Sequence, residues 1–275
     1  IILSNARMSE KSYKNYKKLS SLSKKIISKI SIIYTQSKSH ASRFEKLGAP
    51  VEKIECVGSV KFDIDYSSRE ASSNNSKPFI LAASTHPGED EIIIDAYKNI
   101  LEDNLEIGLV IAPRHPERAY AIKKLLDKTN LNGRILQEIP KDIANESIEI
   151  INGTGMLREL YTKAQFAFIG GSLFQSNGGH NIIEPAFERC PFIVGPYMYN
   201  FQDILKLFTN EDACIQIDKN LDVLSAFKDL LNNNTLRENM SSKAFKICSE
   251  NKGSTKKQCS GIIEMINKKE VISWN

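Results

Sequence analysis

Short apolar runs recur along the chain at close intervals, and their composition is that of strands. "SIIYTQ", "IECVGSV", "PFILAAS", "IGLVIAP", "IEIING", "FAFIGG", "PFIVGP" and "CIQI" are rich in β-branched residues and mostly bounded by Gly, Pro or Ser, as strands buried on both faces are. Between most of them, residues 88–103, 116–129, 180–189 and 200–209 carry apolar side chains at helical spacing. Strand alternating with helix predicts parallel βαβ units and an α/β fold of doubly wound parallel sheets. Residues 65–77, "DYSSREASSNNSK", are the longest polar, Ser/Asn-rich interruption and are expected to be a linker. On that division residues 1–64 are the C-terminal part of one α/β domain and residues 78–255 are a second, complete one. Residues 256–275 then form a C-terminal helix, ending near Trp274, that crosses back to the first domain.

Composition narrows the function classes. A chain of 275 residues with 41% hydrophobic content can bury real cores. The net charge of +4, from 37 basic and 33 acidic residues, is too balanced for a dedicated nucleic-acid binder. The five cysteines, Cys56, Cys190, Cys214, Cys248 and Cys259, are widely spaced without a CxxC pair, so reduced thiols are expected rather than a disulfide framework or zinc site. No run approaches the roughly 18–20 apolar residues of a membrane-spanning helix. The chain opens on the apolar run "IILSNARMSE" without an initiator methionine, so a longer parent is expected.

The strand ends carry the candidate chemistry. In "FILAASTHPGEDE" a strand runs into a turn and then a helix. Ser84 or Thr85 is expected to cap that helix, Pro87 suits its first positions, and Glu89, Asp90 and Glu91 complement its dipole. Either the turn is simply well capped, or its free backbone amides line an anion site. "GLVIAPRHPERA" repeats the arrangement, with Arg114 and His115 just past the strand and Pro113 fixing the backbone. A guanidinium there is expected to clamp a phosphate.

In "FAFIGGSLFQSNGGHNIIEPA" the pairs Gly170–Gly171 and Gly178–Gly179 let the backbone approach something closely. Asn181 is expected to be the N-cap of the next helix, which places Glu184 at its third position. There the carboxylate caps its own helix or accepts two vicinal ribose hydroxyls. Phosphate at strand ends and ribose on a carboxylate point to a nucleotide. Neither GxxxxGK[ST] nor GxGxxG occurs in the first βα turn, which disfavours P-loop and NAD-type sites. "DID", Asp63 to Asp65, matches a metal-binding DxD only over three residues.

Six ordered stretches, "SNARMSEKS", "GSVKFDID", "STHPGEDE", "IAPRHPER", "GGSLFQSNGGHNIIEPA" and "GPYMYNFQDI", resemble the 3-deoxy-D-manno-octulosonic acid (Kdo) transferases of lipopolysaccharide biosynthesis. The likeness spans the whole chain as roughly the C-terminal two-thirds of such an enzyme. It implies a GT-B glycosyltransferase with two Rossmann-like domains, of which the N-terminal, acceptor-side one is only partly present. The donor would be CMP-Kdo and the acceptor a lipid A precursor, lipid IVA. Transfer would invert the anomeric centre, with no metal and no cofactor, at the cytoplasmic face of the inner membrane, anchored by sequence N-terminal of this chain.

Carried over residue by residue, the resemblance implies that Pro113 and Arg114 contact the cytidine nucleotide. Thr154, Gly155 and Met156 form a second binding loop, and Asn181, Ile182, Ile183 and Glu184 a third. Lys61 would stabilise charge developing in the transition state, the role a metal plays elsewhere. Two departures stand out. The family's general-base glutamate lies N-terminal of any position here, so the chain alone is expected to bind donor but turn over poorly. In "GTGMLREL", Met156 stands where the family's "DTMGEL" has a Glu.

Residues 11–30 put Tyr13, Tyr16, Leu19, Leu22, Ile26 and Ile30 on one helical face, with Lys14, Lys17, Lys18, Lys24, Lys25 and Lys29 around the rest. Such a helix either packs on a sheet with solvated lysines or turns them to an anionic membrane carrying the acceptor. Two other functions stay open: a GT-B enzyme using a UDP-sugar, or a non-catalytic nucleotide-binding remnant.

Overall fold

The computed structural model describes residues 1–64, 78–103, 106–129, 131–139, 143 and 147–273, with side chains to residue 267. The expected linker at 65–77, with Asp65, and Trp274 lie outside the described residues. The chain divides into two units, Ile1–Tyr66 with Ser249–Asn275, and Ser67–Cys248.

In the first unit, strands β1 (Ile2–Ala6), β2 (Ile32–Thr35) and β3 (Ile54–Cys56) pair in parallel in that order. Helices α1 (Glu10–Lys18), α2 (Ser20–Ser28) and α3 (Lys38–Lys46) connect them. Ile27, Ile30, Ile33, Phe44 and Leu47 form the buried core with Ala6 and Met8. The single helical face expected over residues 11–30 is not formed. The helix breaks at Leu19 (φ −107°, ψ 43°) in a Ser-rich stretch that competes poorly for helix, and the Ser23 hydroxyl donates to the Tyr16 carbonyl across the break (2.8 Å). The break rotates α2, so that Ser23 and Ile27 of α2 and Ile30 just beyond it are buried, whereas Tyr16, Leu19, Leu22 and Ile26 stand more than half exposed.

The second unit is a seven-stranded parallel sheet among the described residues. Its strands are β4 (Phe79–Thr85), β5 (Gly108–Pro113), β6 (Asn132–Leu136), β7 (Ser147–Ile151), β8 (Phe166–Ile169), β9 (Phe192–Val194) and β10 (Ile215–Gln216), in the order β10-β9-β8-β4-β5-β7-β6. The helices are α4 (Glu89–Glu102), α5 (Ala119–Leu126), α6 (Leu157–Lys163), α7 (Ile183–Phe187), α8 (Gln202–Thr209), α9 (Val223–Asn232) and α10 (Asn234–Glu250), which runs just past the unit's end. Every residue of β4 is buried, and its central position explains that continuous apolar run. Ile80, Ile93, Tyr97, Leu109, Ile111, Ile150, Phe166, Phe168 and Phe227 build the core. From β4 the chain first adds strands on the β5 side and then crosses to β8 on the other. The order therefore reverses between β4 and β8, and an open α/β sheet forms its ligand crevice outside the carboxyl ends of the strands at such a point.

One strand escaped the hydrophobic pattern. β6, "NGRIL", is a partly exposed edge strand with two apolar residues, and it is held by charge. Arg134 on β6 grips the fully buried Glu149 of β7 (Nη2 to Oε1, 2.5 Å), and the Ser147 hydroxyl donates to the same oxygen (3.1 Å).

The last helix, α11 (Ser254–Ser273), belongs to the first unit and is tied there by a buried polar chain. The Ser4 hydroxyl and Asn5 N–H donate to Gln258 Oε1 (2.6 and 3.0 Å), Gln258 Nε2 donates to Ser254 Oγ, and Ser254 Oγ donates to the Gly58 carbonyl (both 2.9 Å). The Asp63 carboxylate accepts from the Gly253 and Thr255 amides, so this acid of the DxD-like triplet secures the start of α11. Burial alone would raise its carboxyl, but those amides and Lys252 bring it below the usual range. Among the described residues no helix is long and apolar enough to cross a membrane, and the five cysteines are free thiols.

Candidate functional site

The site is built at the carboxyl end of β4, where the backbone leaves regular geometry. Ser84 takes φ 57°, and the register with β5 shifts between Ala83 and Thr85. Neither Ser84 nor Thr85 caps α4. The N-cap is Gly88, whose φ of 90° only glycine adopts without strain, and no side chain caps it.

Glu89, the first residue of α4, does far more than complement a dipole. Its buried carboxylate accepts four backbone N–H groups: Oε2 from His86 (2.9 Å) and Gly171 (2.7 Å), Oε1 from Ser172 and Leu173 (both 2.9 Å). At the His86 turn, the place where free amides are expected to line an anion site, the His86 amide is thus occupied by an internal carboxylate, together with the amides of Gly171, Ser172 and Leu173. The same contact answers what the first glycine pair admits. A Cβ on Gly170 would lie 2.5 Å from the Ser84 carbonyl oxygen and 2.7 Å from Thr85 Cα, so β8 passes the β4 turn at backbone contact distance. Gly178 and Gly179 lie under Tyr199 and Met198, which folds the loop back onto the segment after β9.

This closure brings three histidines and an arginine to the switch point. His86 Nε2 and His180 Nε2 are 2.8 Å apart, their near-parallel rings meeting nitrogen to nitrogen with centroids 5.0 Å apart; His115 meets His86 edge-on at 6.0 Å. Arg114 is placed by its backbone N–H, which donates to the Thr85 carbonyl (3.0 Å), while its side chain is exposed. Arg118 donates to the same carbonyl (2.9 Å) and pairs with the buried Asp90. Burial, then His86, Arg114 and His115, depress His180 from 6.5 to about 4. His86 is also lowered, chiefly by burial, with Glu89 opposing. Sequence reasoning left His86 and His180 without a role, although each follows a strand in a turn rich in glycine or proline.

Asn181 does not cap α7 from the position expected. The helix begins two residues later, at Ile183, and Asn181 Oδ1 accepts the Ile183 N–H (3.1 Å), so Glu184 falls at the second helical position rather than the third. Ile182 and Ile183 are fully buried, which leaves only their backbone for a ligand. Burial, with Glu188 adding, raises the Glu184 carboxyl against the pull of Arg158. Arg158 bonds Glu188 (2.6 Å) and so joins α6, which starts just after Met156, to α7. Thr154 and Gly155 are exposed, and Met156 folds back onto Gly153. Pro113 and Arg114, Thr154–Met156 and Asn181–Glu184 thus lie at or after the carboxyl ends of β5, β7 and β8 of one parallel sheet. Lys61 belongs to the other unit, in the turn Val60–Phe62, where desolvation and Arg7 lower its ammonium.

Comparison with known proteins agrees with this architecture. Residues 1–64 match the family described as 3-Deoxy-D-manno-octulosonic-acid transferase (kdotransferase). A 3-deoxy-D-manno-octulosonic acid transferase of Haemophilus influenzae is 31% identical over 263 residues, 92% of this chain and 61% of that protein. A bifunctional glycosyltransferase/methyltransferase of Fusobacterium nucleatum is 34% identical over 88% of this chain and 39% of that protein. The chain therefore spans less than two thirds of these relatives. Among solved structures, the C-terminal CMP-Kdo binding domain of WaaA from Acinetobacter baumannii superposes with a TM-score of 0.57 at 28% identity, covering 63% of this chain and 90% of that domain. Anabaena HepE in complex with UDP and glucose shares the fold alone, at 11% identity, a TM-score of 0.54 and 96% of this chain. The chain thus has the α/β architecture of the GT-B glycosyltransferases and is similar along nearly its whole length to the Kdo transferases.

Proposed function

We propose that the second unit binds CMP-Kdo and that the chain serves in transferring Kdo to a lipid A precursor, with inversion and without a metal. The observation that supports this reading is that Arg114, the Thr154–Met156 loop and Glu184 follow the carboxyl ends of β5, β7 and β8, strands of the one parallel sheet whose order reverses between β4 and β8. An exposed guanidinium suits the phosphate, and a half-buried carboxylate at the start of α7 suits the ribose hydroxyls. Likeness to the CMP-Kdo binding domain of WaaA supports cytidine over other bases. Lys61, partly desolvated in its turn, is proposed to balance charge on the departing phosphate.

An inner-membrane surface carrying the acceptor is part of the same proposal. In the first unit Tyr16, Leu19, Leu22 and Ile26 are exposed beside Lys14, Lys17, Lys18 and Lys25, a pattern suited to an anionic lipid face.

Calorimetric titration with CMP, UMP and GMP tests the donor. CMP should bind best, and Arg114→Ala and Glu184→Ala should each weaken it about 10- to 100-fold, the worth of one charged hydrogen bond. Preference for UMP would instead favour a UDP-sugar enzyme.

A further inference from the structure

His86 and His180 reach the same point from turns 94 positions apart, and they face each other nitrogen to nitrogen at 2.8 Å with ring planes 9° from parallel. A neutral imidazole carries one N–H and one bare nitrogen, so this contact exists when one Nε2–H donates to the other Nε2. Two imidazolium rings would oppose two N–H groups and two charges, which the geometry forbids. The neutral pair therefore holds two protons, one shared between the Nε2 atoms and one on the acceptor ring's Nδ1, and a third can be added only on the donor ring's remote Nδ1.

The surroundings decide which. From the turn after β5 come Arg114, His115 and Arg118, and from α4 comes Glu89; the neighbouring Asp90 meets Arg118. Both acids are engaged internally, Glu89 by four backbone amides and Asp90 by Arg118, which itself pairs there. Among the described residues, what faces the rings without an acidic counterpart is the exposed Arg114 and His115. This positive, partly buried setting keeps that third proton off, as the depressed titration of both rings reflects. An anion arriving beside Arg114 would reverse that field.

We propose that His86 and His180 form a proton-sharing pair that takes up one proton from solvent when an anionic group binds beside Arg114 and His115 at the switch point. Before binding, two neutral rings share one Nε2–H. After binding, the donating ring is an imidazolium protonated on Nδ1, still donating through Nε2 to its neutral partner. The two rings thereby become a titrating counter-charge for the phosphate of a nucleotide donor. The identity of that ligand rests on the reading above; the proton uptake itself does not.

The test uses the whole chain with two probes, CMP and inorganic sulfate, which carries no titrating proton in the range studied. Calorimetry at about pH 6 in two buffers of different ionisation enthalpy should show uptake approaching one proton for sulfate. Sulfate affinity should rise toward tenfold per unit as the pH falls from about 7 to 5.5. The imidazole resonances of His86 and His180 should shift together on binding. His180→Gln and His86→Gln, which do not titrate, should flatten the pH slope while sulfate still binds. If CMP fails to bind but sulfate protonates the pair, the nucleotide reading falls and the pair stands. Binding of either anion with a flat pH profile and unmoved ring signals overturns the proposal. So does an unchanged slope in both variants, or a failure of both anions to perturb the rings.

Discussion

Glu89 and Leu173 stand 84 positions apart, yet the Leu173 N–H donates to the buried Glu89 carboxylate at 2.9 Å, one of four amides that meet there. That carboxylate fixes the turn after β4 to the loop after β8, the two backbones that frame the switch point. Glu89→Gln keeps the shape but turns one acceptor into an NH2 that confronts amide donors. Buried donors left unsatisfied cost about 1–3 kcal/mol each, and more where the lost partner is charged. We expect Glu89→Gln to lower unfolding free energy by about 3 kcal/mol or more, read as a reduced urea midpoint with unchanged slope. A variant as stable as the parent would mean that the amides find other partners.

Gly170→Ala probes the same junction through shape alone. The added methyl meets the Ser84 carbonyl oxygen at 2.5 Å and Thr85 Cα at 2.7 Å, and both are backbone atoms of a buried strand end. One strand must shift, and overpacking of this kind costs about 1–3 kcal/mol. Gly155→Ala is the control, because its Cβ meets nothing within 4 Å, although its φ of 78° adds local strain. Thermal unfolding should show Gly170→Ala losing more than Gly155→Ala; the reverse order would place the tight contact elsewhere.

How far the sequence disclosed all this depended on the range of the interaction. β4, β5 and β8 were legible because strands buried on both faces must be apolar throughout, and the run "FILAAS" records that. β6 was not, because it is stabilised by Arg134 reaching Glu149, a pairing that no local pattern announces. Arg114 and Glu184 were singled out from their neighbours in the chain. The part played by Glu89 was invisible for the opposite reason, since an acid in a helix's first turn has a sufficient local explanation while three of its four partners lie more than 80 residues away. The break at Leu19 hinged on a balance between an apolar face at helical spacing and a run of serines, which periodicity alone weighs wrongly.

The depressed titration of His180 makes folding itself sensitive to pH. Its folded value, about 4, lies below the unfolded 6.5, so between these limits the unfolded chain binds the extra proton. The contribution of this site is fully present above pH 6.5 and is lost as the pH falls toward 4. Urea unfolding of the parent should weaken over that window, and His180→Gln should weaken less, because it has no proton to gain. Equal pH dependence in parent and variant would show that His180 titrates normally in the folded protein.

The first unit offers a prediction of another kind. Tyr16, Leu19, Leu22 and Ile26 are exposed because the break at Leu19 turns Ile27 and Ile30 inward in their place. An apolar ridge flanked by lysines should partition to anionic lipid, each lysine contributing about 1 kcal/mol near the surface. Sedimentation with vesicles containing anionic lipid should pull down the parent, less so as salt is raised, and neutral vesicles should retain little. Reversing Lys17, Lys18 and Lys25 to Glu should weaken binding by more than about 100-fold, since three such contributions are removed and replaced by repulsion. Replacing Leu19, Leu22 and Ile26 with Ser should weaken it independently of salt, because the apolar contribution is not screened. Vesicle binding unchanged in both variants would mean that α1 and α2 do not face a membrane, and the exposed ridge would then have to meet protein instead.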